Sequence, residues 1–306
     1  MFGRVFLLLY IIINTVAGYV PAYDYAEPNS PVYAGPPVAR VSRELSQRRL
    51  DAVREVMRER YIDAFIVPTA DAHNSQYIAP SDARREWLSG LSGSSGTAVA
   101  TQNHALVWTD SRYFTQFDIE VDTSVWSLMR QGTDLAIPNW LAANMASGSV
   151  VGVDPTTYTR TSWTTLQNTL RAANITLVAD YDNIVDEGRD RINDTAPERP
   201  TEPLLALTSN YTGRVSSDKI SELLTQIRNR GASALVLTAL DDIAYTLNIR
   251  GSDIPYNPVF FSYLIIKTDV TVNNTILFWN NGQLPSDIQR HLSSEGSQVE
   301  CRPYTQ

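Results

Sequence analysis

Asp71-Ala72-His73-Asn74-Ser75-Gln76-Tyr77-Ile78-Ala79-Pro80-Ser81-Asp82-Ala83-Arg84-Arg85-Glu86-Trp87-Leu88-Ser89-Gly90-Leu91-Ser92-Gly93-Ser94-Ser95-Gly96-Thr97-Ala98-Val99-Ala100 leads within a few residues to Trp108-Thr109-Asp110-Ser111-Arg112-Tyr113-Phe114. An apolar run, Phe65-Ile66-Val67, closed by Pro68, precedes the stretch and reads as a strand. A short helix holding Arg84, Arg85, Trp87 and Leu88 follows it. Gly90, Gly93 and Gly96 then mark a tight turn that lets helix and strand approach closely. Thr97 to Ala100 and Ala105 to Trp108 read as a hairpin turned at Gln102-Asn103-His104. The glycines lack dinucleotide-binding spacing and no P-loop lysine follows them, so a phosphate cradle is not indicated.

Outward from this stretch the chain alternates strand and helix. Ser42 caps a helix reaching about Arg60, with Leu45, Leu50, Val53, Val56 and Met57 mostly on one face. Downstream come a strand candidate at Trp126 to Met129, a short helix from Pro138 and the strand Val150-Val151-Gly152-Val153. A helix through Trp163, Leu166 and Leu170 then leads to the strand Thr176-Leu177-Val178. This rhythm means an α/β fold, a mixed sheet flanked by helices. Pro197, Pro200 and Pro203 break helix and sheet alike and make residues 197–203 a stiff linker. After the linker the pattern repeats: a helix from about Ser216, the strand Ala234-Leu235-Val236-Leu237, Asp241 and Asp242, then strands at Val259 to Ile266 and Thr275 to Trp279. The expected organisation is a domain at 41–196 and a second copy at 204–306 that is incomplete.

The motifs Asp71-Ala72-His73, Gln76-Tyr77-Ile78-Ala79-Pro80, Arg84-Arg85, Ser89-Gly90, Gly93-Ser94-Ser95-Gly96-Thr97-Ala98 and Trp108 to Phe114 stand in a recognisable order. In that order they resemble the N-terminal, creatinase-like domain of the Xaa-Pro aminopeptidases (aminopeptidase P). Asn248-Ile249-Arg250-Gly251-Ser252-Asp253 and Asn257-Pro258-Val259-Phe260-Phe261-Ser262-Tyr263 are similar to the second domain of that family's three-domain group. The resemblance implies two tandem creatinase N-terminal-like domains. It implies peptide substrates with proline at the second position, a homodimer, and two divalent metal ions, manganese or zinc, held by a further domain. It also implies that Arg112 binds substrate, a guanidinium offering a peptide carbonyl or carboxylate paired donors. The competing reading pairs Arg112 with Asp110 or an interface carboxylate.

No ligand set for those ions is found in this chain, which has three histidines, His73, His104 and His291, in no metal-binding spacing. Thr268-Asp269-Val270-Thr271 imitates a ligand strand but continues without arginine and reads as a turn. His73 beside Asp71 reads as a hydrogen-bonded structural histidine, with a catalytic pair as the sharper alternative. The expected role is therefore the noncatalytic N-terminal part of a metalloaminopeptidase. The alternative is a catalytically dead binding or interaction protein.

A net charge of −8 over 306 residues, with no basic block, excludes a nucleic-acid partner. Hydrophobic residues at 43% and charged residues at 19% describe a globular chain. Arg4, the apolar run Val5 to Ile13 and Val16-Ala17-Gly18 read as a signal peptide over residues 1–18, followed by a flexible arm at 19–40. The expected location is secreted, with membrane anchoring of a longer form left open. Asn174, Asn193, Asn210 and Asn273 stand in glycosylation sequons that agree with export. Cys301, the single cysteine, can form no intrachain disulfide.

Overall fold

Ser42 takes extended backbone and its Oγ accepts from the Leu45 amide at 3.2 Å, which starts helix α1, Arg43–Glu59. The computed structural model describes residues 40–268 and 274–304. The signal segment 1–18, the arm up to residue 39, Asn273 and the residues Asp269, Val270 and Thr271 lie outside them. Arg40, the last residue of the expected arm, is fastened by its Nε to the Val121 carbonyl at 3.1 Å.

The first copy is built on β1 (Ala64–Pro68), β2 (Thr97–Thr101), β3 (Ala105–Thr109), β4 (Ser127–Arg130), β5 (Val150–Val153) and β6 (Thr176–Ala179). Their order in the sheet is β4-β3-β2-β1-β5-β6. Strands β1, β2 and β3 are antiparallel neighbours, and the outer pairings β3–β4, β1–β5 and β5–β6 are parallel. Side chains of a strand alternate between faces, so β1 serves two cores. Phe65 and Val67 join Leu50, Val53, Met57 and Trp87 on one face. Ala64 and Ile66 join Trp140, Leu141, Leu166 and Leu170 on the other. Helix α1, α2 (Arg84–Ser89) and α3 (Phe114–Glu120) contribute to the first layer; α4 (Ile137–Asn144) and α5 (Arg160–Ala172) form the second. A further helix, α6 (Ile184–Arg191), was not expected from the sequence. It buries Ile184, Val185 and Gly188, and a Cβ on Gly188 would stand 3.0 Å from Val53 of α1.

The linker is held down. Arg199 lies 5.0 Å over the rings of Phe261 and Tyr304, and the Glu202 amide donates to Asp253 Oδ1 at 2.7 Å. Beyond it come β7 (Leu205–Ala206), α7 (Ser209–Thr212), α8 (Ser216–Asn229), β8 (Ala234–Leu237), α9 (Leu240–Leu247) and β9 (Ile249–Arg250). Then follow β10 (Ser262–Lys267), β11 (Thr275–Trp279), α10 (Ser286–Ser294) and β12 (Val299–Arg302). The expected strand at Val259 begins later because Asp253 captures that backbone. Its Oδ2 accepts from the Phe261 amide at 2.8 Å, and its own amide donates to the Val259 carbonyl.

The second sheet runs β12-β11-β10-β8, with β8, β10 and β11 antiparallel and β11–β12 parallel. This repeats β4-β3-β2-β1 strand for strand. Among the described residues no counterpart of β5 or β6 pairs with β8. The inner face, with Leu264, Ile266 and Leu277, packs on Ile220, Leu224, Ile243, Leu247, Ile288 and Leu292 from α8, α9 and α10. The outer face of β8 is open, and Val236 is 56% exposed where the residues of β1 are buried.

Candidate functional site at the glycine-rich turn

Arg85 sits 3% exposed beneath the turn that joins α2 to β2. Its Nε donates to Thr69 Oγ1 at 2.6 Å, and its two terminal nitrogens donate to the carbonyls of Leu91 and Gly93. Burial pushes its pKa down to about 10, against the pull of Glu86 and Glu120. Glu120 fixes the turn from the side, accepting from the Ser92 amide at 2.8 Å and from Ser92 Oγ at 2.8 Å. Tyr113 closes over the top. Its hydroxyl bonds Ser94 Oγ at 2.6 Å, and a Cβ on Gly93 would stand 2.5 Å from its ring. Gly90 ends α2 at φ +83, a conformation that side chains resist. The turn is a rigid ledge.

Arg112 stands on the rim of that ledge. Asp110 caps the 3-10 turn Ser111–Tyr113 by accepting from the Arg112 amide at 3.1 Å. The same carboxylate receives Arg112 Nε at 2.7 Å and Nη2 at 2.8 Å. The pair holds the Asp110 pKa at about 2 and raises that of Arg112. The Asp110 pairing weighed against a substrate role is thus present. The side chain of Arg112 is nevertheless 67% exposed and stacks 5.0 Å over the Tyr113 ring, so it is positioned and reachable together.

The three histidines serve other purposes. His73 Nδ1 lies 2.7 Å from the Thr238 carbonyl and Nε2 lies 2.7 Å from the Tyr304 hydroxyl, so it bonds to the second copy. Asp71 Oδ1 accepts from the His73 amide, not from its ring. His104 meets the edge of Trp140 at 5.4 Å, and His291 stands 3.8 Å from Glu295. Among the described residues no group of three His, Cys, Asp or Glu side chains could hold a metal ion. A carboxylate-and-imidazole cage for two ions does not fit these residues. Cys301 lies on β12 as a free thiol, its pKa pushed up to about 11 by burial. The described sequon residues Asn174, Asn193 and Asn210 are exposed.

Comparison with known proteins places this geometry. Models described as the Creatinase/Prolidase N-terminal domain match residues 49–190 and again residues 195–306. The probable Xaa-Pro aminopeptidase P of Pyricularia oryzae is 42% identical over 262 residues, 84% of this chain and 40% of the relative. The Xaa-Pro aminopeptidase ApepP of Drosophila melanogaster is 40% identical over 247 residues, 79% of this chain and 39% of the relative. The solved X-prolyl aminopeptidase of Caenorhabditis elegans, described as a cytosolic enzyme with a di-nuclear active site, superposes with a TM-score of 0.77. It is 34% identical and is matched over 85% of this chain and 42% of its own. The chain spans about 40% of the length of the curated relatives it matches. It belongs to the creatinase/prolidase N-terminal domain family, carries that domain twice in tandem, and is homologous through both copies to the Xaa-Pro aminopeptidase P family.

Proposed function

We propose that this chain is the noncatalytic N-terminal part of a secreted Xaa-Pro aminopeptidase, in which a further domain holding two metal ions would supply an activated water for hydrolysis of the bond before proline. The two copies shape the path of the peptide substrate and contribute to contacts between protomers. The observation that carries this reading is homology through both copies over about 40% of the relatives' length. An antibody raised against residues 41–196 should detect a product of which these 306 residues are only the leading part. Purified tag-free protein of these 306 residues should contain no stoichiometric manganese or zinc and release no arginine from Arg-Pro-Pro. A sole product ending near Gln306 would favour the competing reading, an interaction protein without catalysis. Two bound ions with chelator-sensitive turnover would overturn the noncatalytic assignment.

Within this reading Arg112 is the substrate contact, and its support is the exposed guanidinium on a rigid ledge. In a catalytically complete protein, Arg112→Ala should raise KM for longer peptides on the order of tenfold with kcat little changed, the pattern of lost uniform binding. Unchanged kinetics with a lowered melting temperature would make the Asp110 pair purely structural.

A further inference from the structure

His73 is 5% exposed at the seam between the two copies. Its partners define its tautomer. A backbone carbonyl can only accept, so Nδ1 carries the proton toward Thr238, and Nε2 is left to accept from the Tyr304 hydroxyl. The ring lies 4.5 Å from that of Tyr263, and Tyr263 stacks on Tyr304 at 5.3 Å with planes 17° apart. Arg199 of the linker covers Tyr304 from above. Tyr304 is itself fixed by its amide, which donates to the Asn280 carbonyl at 3.0 Å. Beside the joint, Ala79 packs with Leu240, Ile254, Val259 and Phe261. One imidazole therefore bridges the first copy, the turn between β8 and α9, and the segment following β12.

We propose that this joint is an acid-released latch: protonation of His73 takes away the acceptor of the Tyr304 hydroxyl and loosens the second copy from the first. With Nε2 protonated, two donors face each other until the phenol turns, and the phenol's proton then points away from the imidazole. The new charge also lies near the Arg199 guanidinium, on the wall of a pocket that Asp241 lines as well.

The groups around His73 oppose one another. Burial, the largest effect, and Arg199 hold its pKa below the ordinary imidazole value, while the Thr238 bond, Asp71 and Asp82 pull it upward. Asp71 has a buried Oδ2 with no hydrogen-bond partner. Burial raises the Asp82 pKa, so its negative charge weakens as acid is added. Tyr304 is raised further above its ordinary range and stays neutral. The closed joint thus binds fewer protons at His73 than the open one. Its contribution is complete above about pH 6.5 and falls as the pH drops through the lowered value. Asp82 acts in the opposite sense nearer its own carboxylate range, so the release belongs to the interval above that.

The test uses the whole chain. His73 should titrate below pH 6.5 by proton NMR. Exchange protection of residues 299–304, corrected for intrinsic rates, should fall severalfold between pH 7.5 and 5.0. His73→Phe keeps a ring but cannot titrate, and its protection should not change with pH. Tyr304→Phe removes only the hydroxyl and should move the transition upward toward pH 6.5, which keeps the test alive if His73→Phe does not fold. Protection that is flat in the native chain, or that falls equally in His73→Phe, overturns the latch, as does an unmoved transition in Tyr304→Phe.

Discussion

Separated from residues 41–196, the segment 204–306 should melt at a clearly lower temperature than its neighbour and aggregate on warming. Three features of the second copy produce this. Its sheet has a helix layer on one face only, whereas the first sheet has cores on both faces. Among the described residues its strand β8 pairs only with β10 and leaves an open edge with Val236 exposed, a template for pairing between chains. Separation would also remove the His73 bonds to Thr238 and Tyr304 and expose the apolar faces of Leu240, Val259 and Phe261. Losing two buried hydrogen bonds and part of an apolar cluster costs on the order of 3 kcal/mol, which moves the midpoint of a domain this small by roughly 15 °C. The two segments can be expressed apart and compared by thermal scanning and light scattering. Equal midpoints and equal solubility would show that the second copy is self-sufficient.

Replacing Arg85 should be among the most damaging single changes in the first copy. Arg85→Met keeps much of the buried volume but leaves the carbonyls of Leu91 and Gly93 and the hydroxyl of Thr69 without their donor. Unpaired buried acceptors cost about 1–3 kcal/mol each, so a total of about 3–5 kcal/mol and a midpoint lower by roughly 10 °C are expected. Arg85→Lys should recover less than half, because one ammonium cannot reach three acceptors arranged around a planar fork. Its pKa near 10 is below the ordinary guanidinium value, so the linked change lies in alkaline solution, where stability should rise with pH, and the mutational effect should be constant between pH 5 and 8. Chemical denaturation across that range checks both points, and an Arg85→Met protein within about 1 kcal/mol of the parent would refute the assignment.

Much of this architecture could be read from local signals. Ser42 as a cap, the start of α8 at Ser216, the hairpin of β2 and β3, and β8 all follow from capping, periodicity and turn chemistry. The repeat was legible because the same order of strand, acidic residues and glycine recurs. What escaped depends on contacts distant in sequence. Helix α6 is short, contains Gly188 and follows Asn183 at a positive φ, so nothing in its own residues outweighs a loop reading until α1 lies across it. Helix α10 and β12 were passed over because their pattern is brief. Arg85 looks like any charged helix residue until the turn folds back over it. His73 announced a hydrogen bond, but its partners stand 165 and 231 residues away.

The bare side of β8 sets a minimum length on anything that could complete the second sheet. In the first copy the matching strand, β1, is paired on that side by β5 running parallel to it. Parallel neighbours cannot be joined by a tight hairpin and need a crossover of a dozen or more residues. The first copy uses residues 131–149, with α4 among them, to travel from β4 past β3, β2 and β1 to that position. A strand joining β8 in the same way must likewise return from β12 across the whole outer face. A tail of a few residues after Tyr304 would end in mid-journey, so graded extensions should leave stability unchanged until the crossing is long enough, then raise it in one step.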